Sequence, residues 1–192
     1  MSVPVWSPAI EFMEREALER LQLAKLRETV AWALKTPFYQ SRLHEIGLKH
    51  PEDIGSLRDL RKLPYTTKDD LRRAYPQGLL ALDLERTVRL HTSSGTTGMP
   101  TVIYHSRHDI DHWTELVARC IVATGATAHD VFQNMTSYGL FTGGLGLHYG
   151  AERVGMLVIP ASSGNTSRQL QLMRHFQTTV VHATPSYLLH LQ

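Results

Sequence analysis

The densest group of chemically useful side chains is the loop at residues 93–98, which reads Ser-Ser-Gly-Thr-Thr-Gly and follows a predicted strand. Glycine lets a backbone approach an anion closely and point successive N–H groups at it, and the hydroxyls of serine and threonine donate to phosphate oxygens. The loop therefore predicts a phosphate-binding site. The same composition is also typical of a polar turn between two strands, and composition does not separate the two interpretations.

The loop is not a Walker motif. The spacing from Gly95 to Gly98 is too short, and Met99 occupies the position at which a lysine would follow the last glycine. Thr96 or Thr97 could still contact a magnesium ion through its hydroxyl.

The elements before this loop predict a helical N-terminal lobe over residues 1–86. A long amphipathic helix is expected at 14–35, closed by Pro37. Prolines and glycines interrupt residues 36–80, where Ser56 and Thr67 are plausible helix caps.

From residue 87 onward the pattern becomes an alternation of strands and helices, which predicts an α/β region with a largely parallel sheet. A glycine-rich turn is expected at 139–146. The expected strands are 87–92, 101–104, 130–134, 156–159 and 179–182, and the expected helices are 107–124, a segment ending near 154, 165–176 and one beginning after Pro185.

Several motifs in the same order resemble the phenylacetate–CoA ligase family of adenylate-forming enzymes, and the similarity covers nearly the whole chain. The loop at 93–101 and the run from Arg107 to Trp113 carry the signature. The further matching segments are Thr36–Tyr39, Leu63–Leu71, Tyr138–Gly144, His148–Arg153 and Ala183–Tyr187. The resemblance implies an α/β fold in which residues 87–192 form part of an AMP-binding subdomain.

The resemblance also implies a two-step reaction. An aryl acid attacks the α-phosphorus of ATP to give an acyl-adenylate and pyrophosphate, and coenzyme A then displaces AMP. Phenylacetate is the first candidate acid, ahead of indoleacetate and benzoate-like acids. The phosphate-binding residues implied are Ser93, Ser94, Gly95, Thr96, Thr97 and Gly98, with Mg²⁺ bridging the phosphates and Thr97 as its candidate protein contact. No residue of this chain is expected to act as a catalytic group, and a homodimer is implied.

By the same resemblance, Tyr138 and Phe141 are expected to pack on the aromatic ring of the acid, and His148 is expected to face the pocket. Gly143 and Gly144 would leave room for the carboxylate. Ordinary packing of apolar residues beside glycines is the competing interpretation.

Two departures from the family pattern bear on activity. The family usually has lysine where this chain has Met99, so one positive charge near the phosphates is absent. Relatives also carry an additional aromatic residue in the segment that here reads Met135-Thr136-Ser137, which predicts a differently shaped acid pocket.

The end of the chain, residues 187–192, is apolar and helical in character, without a glycine stop or a polar tail. We therefore expect a truncated ligase without the small C-terminal domain that bears the family's lysine. Such a chain could be a binding or interaction module that catalyses nothing.

Composition bears on possible nucleic-acid partners, membrane spans, disulfides and metal sites. A formal charge of +2 with dispersed basic residues does not suggest a nucleic-acid partner, and the apolar stretches are too short to span a membrane. The single cysteine, Cys120, excludes an intrachain disulfide, fits a cytoplasmic protein and is expected to be a buried small hydrophobe.

His108 and His112, with His105 nearby, could bind a metal, but surface histidines are the favoured interpretation. His182 is expected to be satisfied in the core or a pocket wall.

Overall fold

The computed structural model describes residues 4–93 and 99–191. The α-helices are α1 Pro8–Glu11, α2 Arg15–Ala33, α3 Pro37–Glu45, α4 Lys68–Arg73, α5 Arg107–Ala123, α6 Gly143–Val154, α7 Thr166–Phe176 and α8 Pro185–His190. The strands are β1 Thr87–Thr92, β2 Val102–Ser106, β3 Val131–Asn134, β4 Leu157–Ile159 and β5 Val180–His182. Short 3₁₀ helices occupy Pro51–Asp53, Leu57–Lys62 and Leu84–Arg86.

The chain forms two compact units. The first, the helical unit, is Phe12–Tyr104. The second, the α/β unit, combines the segment up to Glu11 with the chain from His105 onward. The mixed α/β fold with a parallel sheet that the sequence predicts is confirmed. The predicted division at residues 86 and 87 stays a prediction about the domains of the family.

The helical unit packs around a small apolar cluster contributed by α2, α3 and the 3₁₀ segments. Its buried members are Val30, Leu43, Leu48 and Ile54. The cap predicted at Thr67 is confirmed, because its hydroxyl accepts from the backbone N–H of Asp70 at 3.2 Å. The Asp70 carboxylate in turn accepts from the Thr67 N–H at 2.8 Å, so each residue satisfies a free backbone donor of the other.

The α/β unit contains a three-stranded parallel sheet in the order β4-β3-β5. Phe132 is opposite Val158 on one side and Val180 on the other. α6 connects β3 to its neighbour β4, and α7 connects β4 to β5 on the other side of β3, since parallel strands of one sheet require crossover connections. The central strand is almost completely buried, which explains why it reads Val-Phe-Gln-Asn rather than alternating in polarity.

Glycines allow α5 and α6 to approach closely. A Cβ at Gly146 would collide with the ring of Trp113, and a Cβ at Gly150 would collide with the side chain of Val117. The helix pair closes the main core, whose buried members are Ala118, Ile121, Ala126, Phe132, Ala151, Val154 and Met156. Small residues at this crossing let the backbones pack without voids.

The amino-terminal segment up to Glu11 belongs to the α/β unit, which its sequence did not predict. Trp6 packs against the main core, and its indole N–H donates to Glu115 Oε2 at 2.8 Å. Glu115 also pairs with Arg153 of α6. Glu11 accepts from the backbone N–H groups of Trp6 and Ser7, which fixes the short turn before α1.

Three local expectations are wrong. The strands β1 and β2 form a separate two-stranded sheet instead of joining the parallel one. Gly143, Gly144 and Gly146 lie inside α6 and not in a turn, and a Cβ at Gly146 would prevent the close approach of α5. Cys120 is exposed, because α5 turns Ile110, Ala118 and Ile121 inward and leaves Cys120 outside. No helix of the described residues is long and apolar enough to cross a membrane.

Candidate functional site

The carboxyl ends of the three parallel strands carry the best candidate for a ligand site in the α/β unit. β3 ends at Asn134 and β5 ends at His182, and these neighbouring strands are in register at those two residues. In open α/β sheets, ligands bind outside the carboxyl ends of the strands. The segment after β3 returns through residues 135–142 to the start of α6, and the predicted acid-pocket residues lie on this segment and on α6.

Asn134 organises this edge. Its side chain is completely buried, and its Nδ2 donates to the carbonyl oxygen of Gly144 at 2.7 Å. Its Oδ1 accepts from the Thr136 hydroxyl at 2.9 Å and lies 3.0 Å from Nδ1 of His182. One amide therefore connects β3, β5, the following loop and the first turn of α6.

The contact with the Asn134 amide determines which ring nitrogen of His182 carries the proton. Because Asn134 Nδ2 must be the atom that donates to Gly144, Oδ1 is the atom that faces His182, and an oxygen of this kind only accepts. The imidazole therefore carries a proton on Nδ1. Burial lowers the pKa of His182 below its ordinary value, which favours the neutral ring. The expectation that His182 has satisfied polar groups is confirmed for Nδ1.

Tyr138 and His148 are brought together, as their joint assignment to one pocket predicts. The Tyr138 hydroxyl lies 3.1 Å from His148 Nδ1, and the two rings meet edge to face with centroids 5.7 Å apart. His148 Nε2 lies 3.1 Å from the Glu152 carboxylate one helical turn later. Burial is the main cause that raises the pKa of Tyr138, so the phenol stays protonated at neutral pH.

The other predicted pocket residues differ in their exposure and in the space around them. Phe141 is 70% exposed, so it is available for contact with a ring but packs against little of the unit itself. Gly144 is buried, and a Cβ there would collide with the backbone of Ser137, so the space it leaves is filled by this chain. A Cβ at Gly143 would be only in ordinary contact with Phe141, at 3.5 Å. The acid-binding roles of these residues stay predictions.

The predicted phosphate loop belongs to the helical unit, and only its first residue is described. Ser93 N–H donates to the carbonyl of Thr101 at 3.0 Å, and Thr101 N–H donates to Ser93 Oγ at 3.0 Å. These two bonds hold the ends of the loop together. Met99 is exposed. Ser94, Gly95, Thr96, Thr97 and Gly98, with the candidate magnesium contact, lie outside the described residues.

The histidines that suggested a metal site lie on the surface of α5. His108 and His112 are exposed and their rings are nearly parallel, with centroids 6.4 Å apart. His105 instead stacks on Trp113. Across residues 4–93 and 99–191, no three His, Cys, Asp or Glu side chains are grouped as metal ligands.

Sequence reasoning missed the buried polar residues of β3. Gln133 Nε2 donates to Gln169 Oε1 of α7 at 2.7 Å, and Gln133 Oε1 accepts from the Thr178 hydroxyl at 2.9 Å. Gln169 also donates to the carbonyl of Ser162, in the loop after β4. The signal available in the sequence was the pair Gln133-Asn134 at the end of an apolar strand, since polar residues there are buried only when they are bonded.

Comparison with known proteins supports a relationship over nearly the full length of the chain. No protein-family model matches it. The phenylacetate–coenzyme A ligase of Pseudomonas putida is 49% identical over 181 residues, which are 92% of this chain and 40% of that enzyme. The corresponding ligase of Escherichia coli K12 is 47% identical over 183 residues, 95% of this chain and 42% of the enzyme. The chain thus spans about two-fifths of the length of these relatives, and the predicted resemblance is confirmed.

Solved structures agree with this. A 2-hydroxyisobutyryl-CoA ligase, in complex with its acyl-AMP and CoA in the thioesterification state, superposes with a TM-score of 0.89 at 27% identity. The match covers 98% of this chain and 41% of the ligase. An open conformation of the same ligase gives a TM-score of 0.88 at 26% identity, covering 98% of this chain and 45% of the ligase. The fold is an amino-terminal part of an adenylate-forming ligase fold.

Proposed function

We propose that this chain, a relative of the phenylacetate–coenzyme A ligases, supplies the acid pocket and the phosphate loop for the ATP-dependent activation of an aryl acid. The acid carboxylate attacks the α-phosphorus of ATP and releases pyrophosphate. The thiol of coenzyme A then attacks the acyl carbon and releases AMP. The products are the aryl-acyl thioester, AMP and pyrophosphate.

One observation carries the proposal: identity of 44–49% to four phenylacetate–CoA ligases runs along 92–97% of the chain. The matched stretch includes the hydroxyl-rich loop, the segment after β3 and the start of α8. Identity at this level over nearly the whole chain supports a common substrate class as well as a common fold.

The phosphate loop would act by position and charge. Ser93 to Gly98 would present backbone N–H groups and hydroxyls to the β- and γ-phosphates, with Mg²⁺ entering together with ATP. Ser93 is already engaged at the base of the loop, so its hydroxyl shapes the loop as well as being available to donate. Catalysis of this kind needs stabilisation of phosphate charge and no protein nucleophile.

The acid would bind at the carboxyl end of the parallel sheet. Exposed Phe141 and half-buried Tyr138 offer aromatic surface there, and His148 lies within hydrogen-bond distance of the Tyr138 hydroxyl. Phenylacetate is the acid we favour because the four similar enzymes carry it in their names. Coenzyme A is the proposed acceptor, and a homodimer is the proposed assembly.

A binding role without turnover is the second candidate. It is favoured by the length relationship, since the chain spans only about two-fifths of the similar ligases. In this role the chain would hold nucleotide or acid without catalysing either step of the reaction.

The test combines binding with turnover. We expect ATP–Mg²⁺ and phenylacetate each to raise the melting temperature of the 192-residue chain, and a coupled assay for pyrophosphate to decide whether the chain turns over. Thr96→Ala and Thr97→Ala should weaken the ATP effect, whereas Thr29→Ala, on the exposed face of α2, should not. Stabilisation without pyrophosphate supports the binding role. No stabilisation by ATP or by any aryl acid contradicts both candidates.

A further inference from the structure

Glu152 determines which nitrogen of His148 carries the proton. Its carboxylate lies 3.1 Å from Nε2, and an ionised carboxylate can only accept a hydrogen bond. In the neutral imidazole the proton must therefore be on Nε2, which leaves Nδ1 as an acceptor. The i,i+4 spacing on α6 keeps the two side chains on one face of the helix.

The acceptor state of His148 Nδ1 determines the direction of its hydrogen bond with Tyr138. Its hydroxyl lies 3.1 Å from Nδ1 of His148, so the hydroxyl donates its single proton to the imidazole. The oxygen keeps only lone pairs for any other contact.

We propose that Glu152, acting through His148, makes Tyr138 a hydrogen-bond acceptor toward the bound acid, so that among aryl acids of one shape the pocket prefers those with an N–H or O–H donor on the ring over those with an acceptor there. This inference rests on the proposed function, because it takes Tyr138 to line the acid pocket. Glu152 and His148 are positioning residues in this scheme, and Tyr138 is the residue that contacts the substrate.

The surroundings of His148 do not supply a competing charge within the described contacts. The Tyr149 ring meets the imidazole edge to face at 5.5 Å, and Tyr138 meets it on another side. On α5, the carboxylate of Glu115 is paired with Arg153 and with the Trp6 indole. Glu152 is thus the only carboxylate recorded within hydrogen-bond distance of this imidazole among the residues described.

The first experiment reads the tautomer without any ligand. Two-bond ¹H–¹⁵N correlation spectra at about pH 8, above the ordinary imidazole range, distinguish a protonated from a bare ring nitrogen. We expect the Nε2–H form for His148 and the Nδ1–H form for His182, which serves as an internal comparison. Glu152→Gln retains an oxygen acceptor and should retain the Nε2–H form. Glu152→Lys offers only donors and should convert His148 to the Nδ1–H form.

The second experiment reads the selectivity. Indole acetic acids present a ring N–H donor, and the benzofuran acetic acids of the same shape present an acceptor oxygen instead. We expect the 192-residue chain to bind at least one of the indole-2- and indole-3-acetic acids about five-fold more tightly than its benzofuran counterpart, the size of one hydrogen bond. Glu152→Gln should keep this preference, and Glu152→Lys and Tyr138→Phe should each remove it.

The outcomes separate the two proposals. If phenylacetate binds but neither indole acid is preferred, or if Tyr138→Phe keeps the preference, the inference about Glu152 is wrong and the acid pocket stands. An Nδ1–H tautomer for His148 in the unaltered chain also overturns it. If no acid binds, phenylacetate included, the proposed function fails and this inference fails with it.

Discussion

The side-chain amide of Asn134 donates a buried hydrogen bond to the main-chain carbonyl of Gly144 at 2.7 Å. Gly144 lies in the first turn of α6, and its close packing against the backbone of Ser137 leaves no room for a side chain. The end of the central strand and the start of the helix that follows it are therefore held by one side chain. Every predicted acid-pocket residue lies on the segment between them or on that helix.

Asn134→Ala should destabilise the chain by about 3 kcal/mol, because it leaves the buried Gly144 carbonyl and the His182 N–H without their partner. Urea unfolding followed by circular dichroism would measure this. Asn134→Asp keeps the oxygen that faces His182 but places a buried carboxylate oxygen against the Gly144 carbonyl, where two acceptors repel, so at neutral pH it should destabilise the chain at least as much as alanine. A loss below about 1 kcal/mol for alanine would contradict the role given to this residue.

Gly150→Ala should destabilise the chain by about 1–3 kcal/mol through overpacking against Val117, a β-branched side chain that cannot rotate away. Alanine is the better helix former by about 1 kcal/mol, so the measured loss is the clash reduced by that gain. The matched control is Gly143→Ala in the same helix, where a Cβ meets only ordinary contact. Adding Val117→Ala should restore part of the loss, and additivity of the two changes would refute a direct clash.

Asp70 should make the helical unit acid-sensitive. Hydrogen bonds from the Thr67 backbone and hydroxyl, then Arg73 and Arg42, hold the pKa of Asp70 well below its ordinary value. The unfolded chain binds this proton at a higher pH than the folded chain does, so the stabilisation is complete above about pH 4 and is lost as pH falls through the lower folded pKa.

We expect Asp70→Asn to lower the melting temperature at pH 7 and to flatten its fall below about pH 4. Asp69→Asn, at an exposed neighbour on the same helical turn, is the control and should change neither. If the melting temperatures of the unaltered chain and of Asp70→Asn differed by the same amount at every pH, the carboxylate would not contribute in this way.

His182 should add a second pH dependence at a higher pH. Burial lowers its pKa in the folded chain, so the unfolded chain takes up the proton first on acidification. Stability should therefore fall as pH drops below about 6.5, the ordinary imidazole value.

Asparagine at position 182 places an N–H close to that of Nδ1 and does not titrate. His182→Asn should thus keep the bond to Asn134 and remove part of the slope between about pH 6.5 and 5, measured by urea unfolding. His175→Asn, at an exposed position of α7, should leave the slope unchanged. An unaltered slope in His182→Asn would mean that this imidazole does not titrate differently on folding.

Local periodicity was enough to predict most elements of this protein. The spacing of apolar residues along α2, the helix cap at Thr67 and the short β-rich segments each specify structure over a few residues, so the sequence predicts them directly. The motif order further predicted the relationship to the ligases. The exposure of Cys120 was predicted wrongly, because an apolar stretch of a helix does not reveal which of its faces a neighbour covers.

The amino-acid sequence by itself determined the α/β class, the family relationship and the residue types at the candidate site, since those depend on composition, spacing and similarity. Only the tertiary structure decided which polar groups meet. Gln133 reaches Gln169, Asn134 reaches Gly144 and His182, and Glu152 reaches Tyr138 through His148. Most of these partners are 10 to 48 residues apart, and hydrogen bonds between side chains require distances and angles that no local pattern encodes.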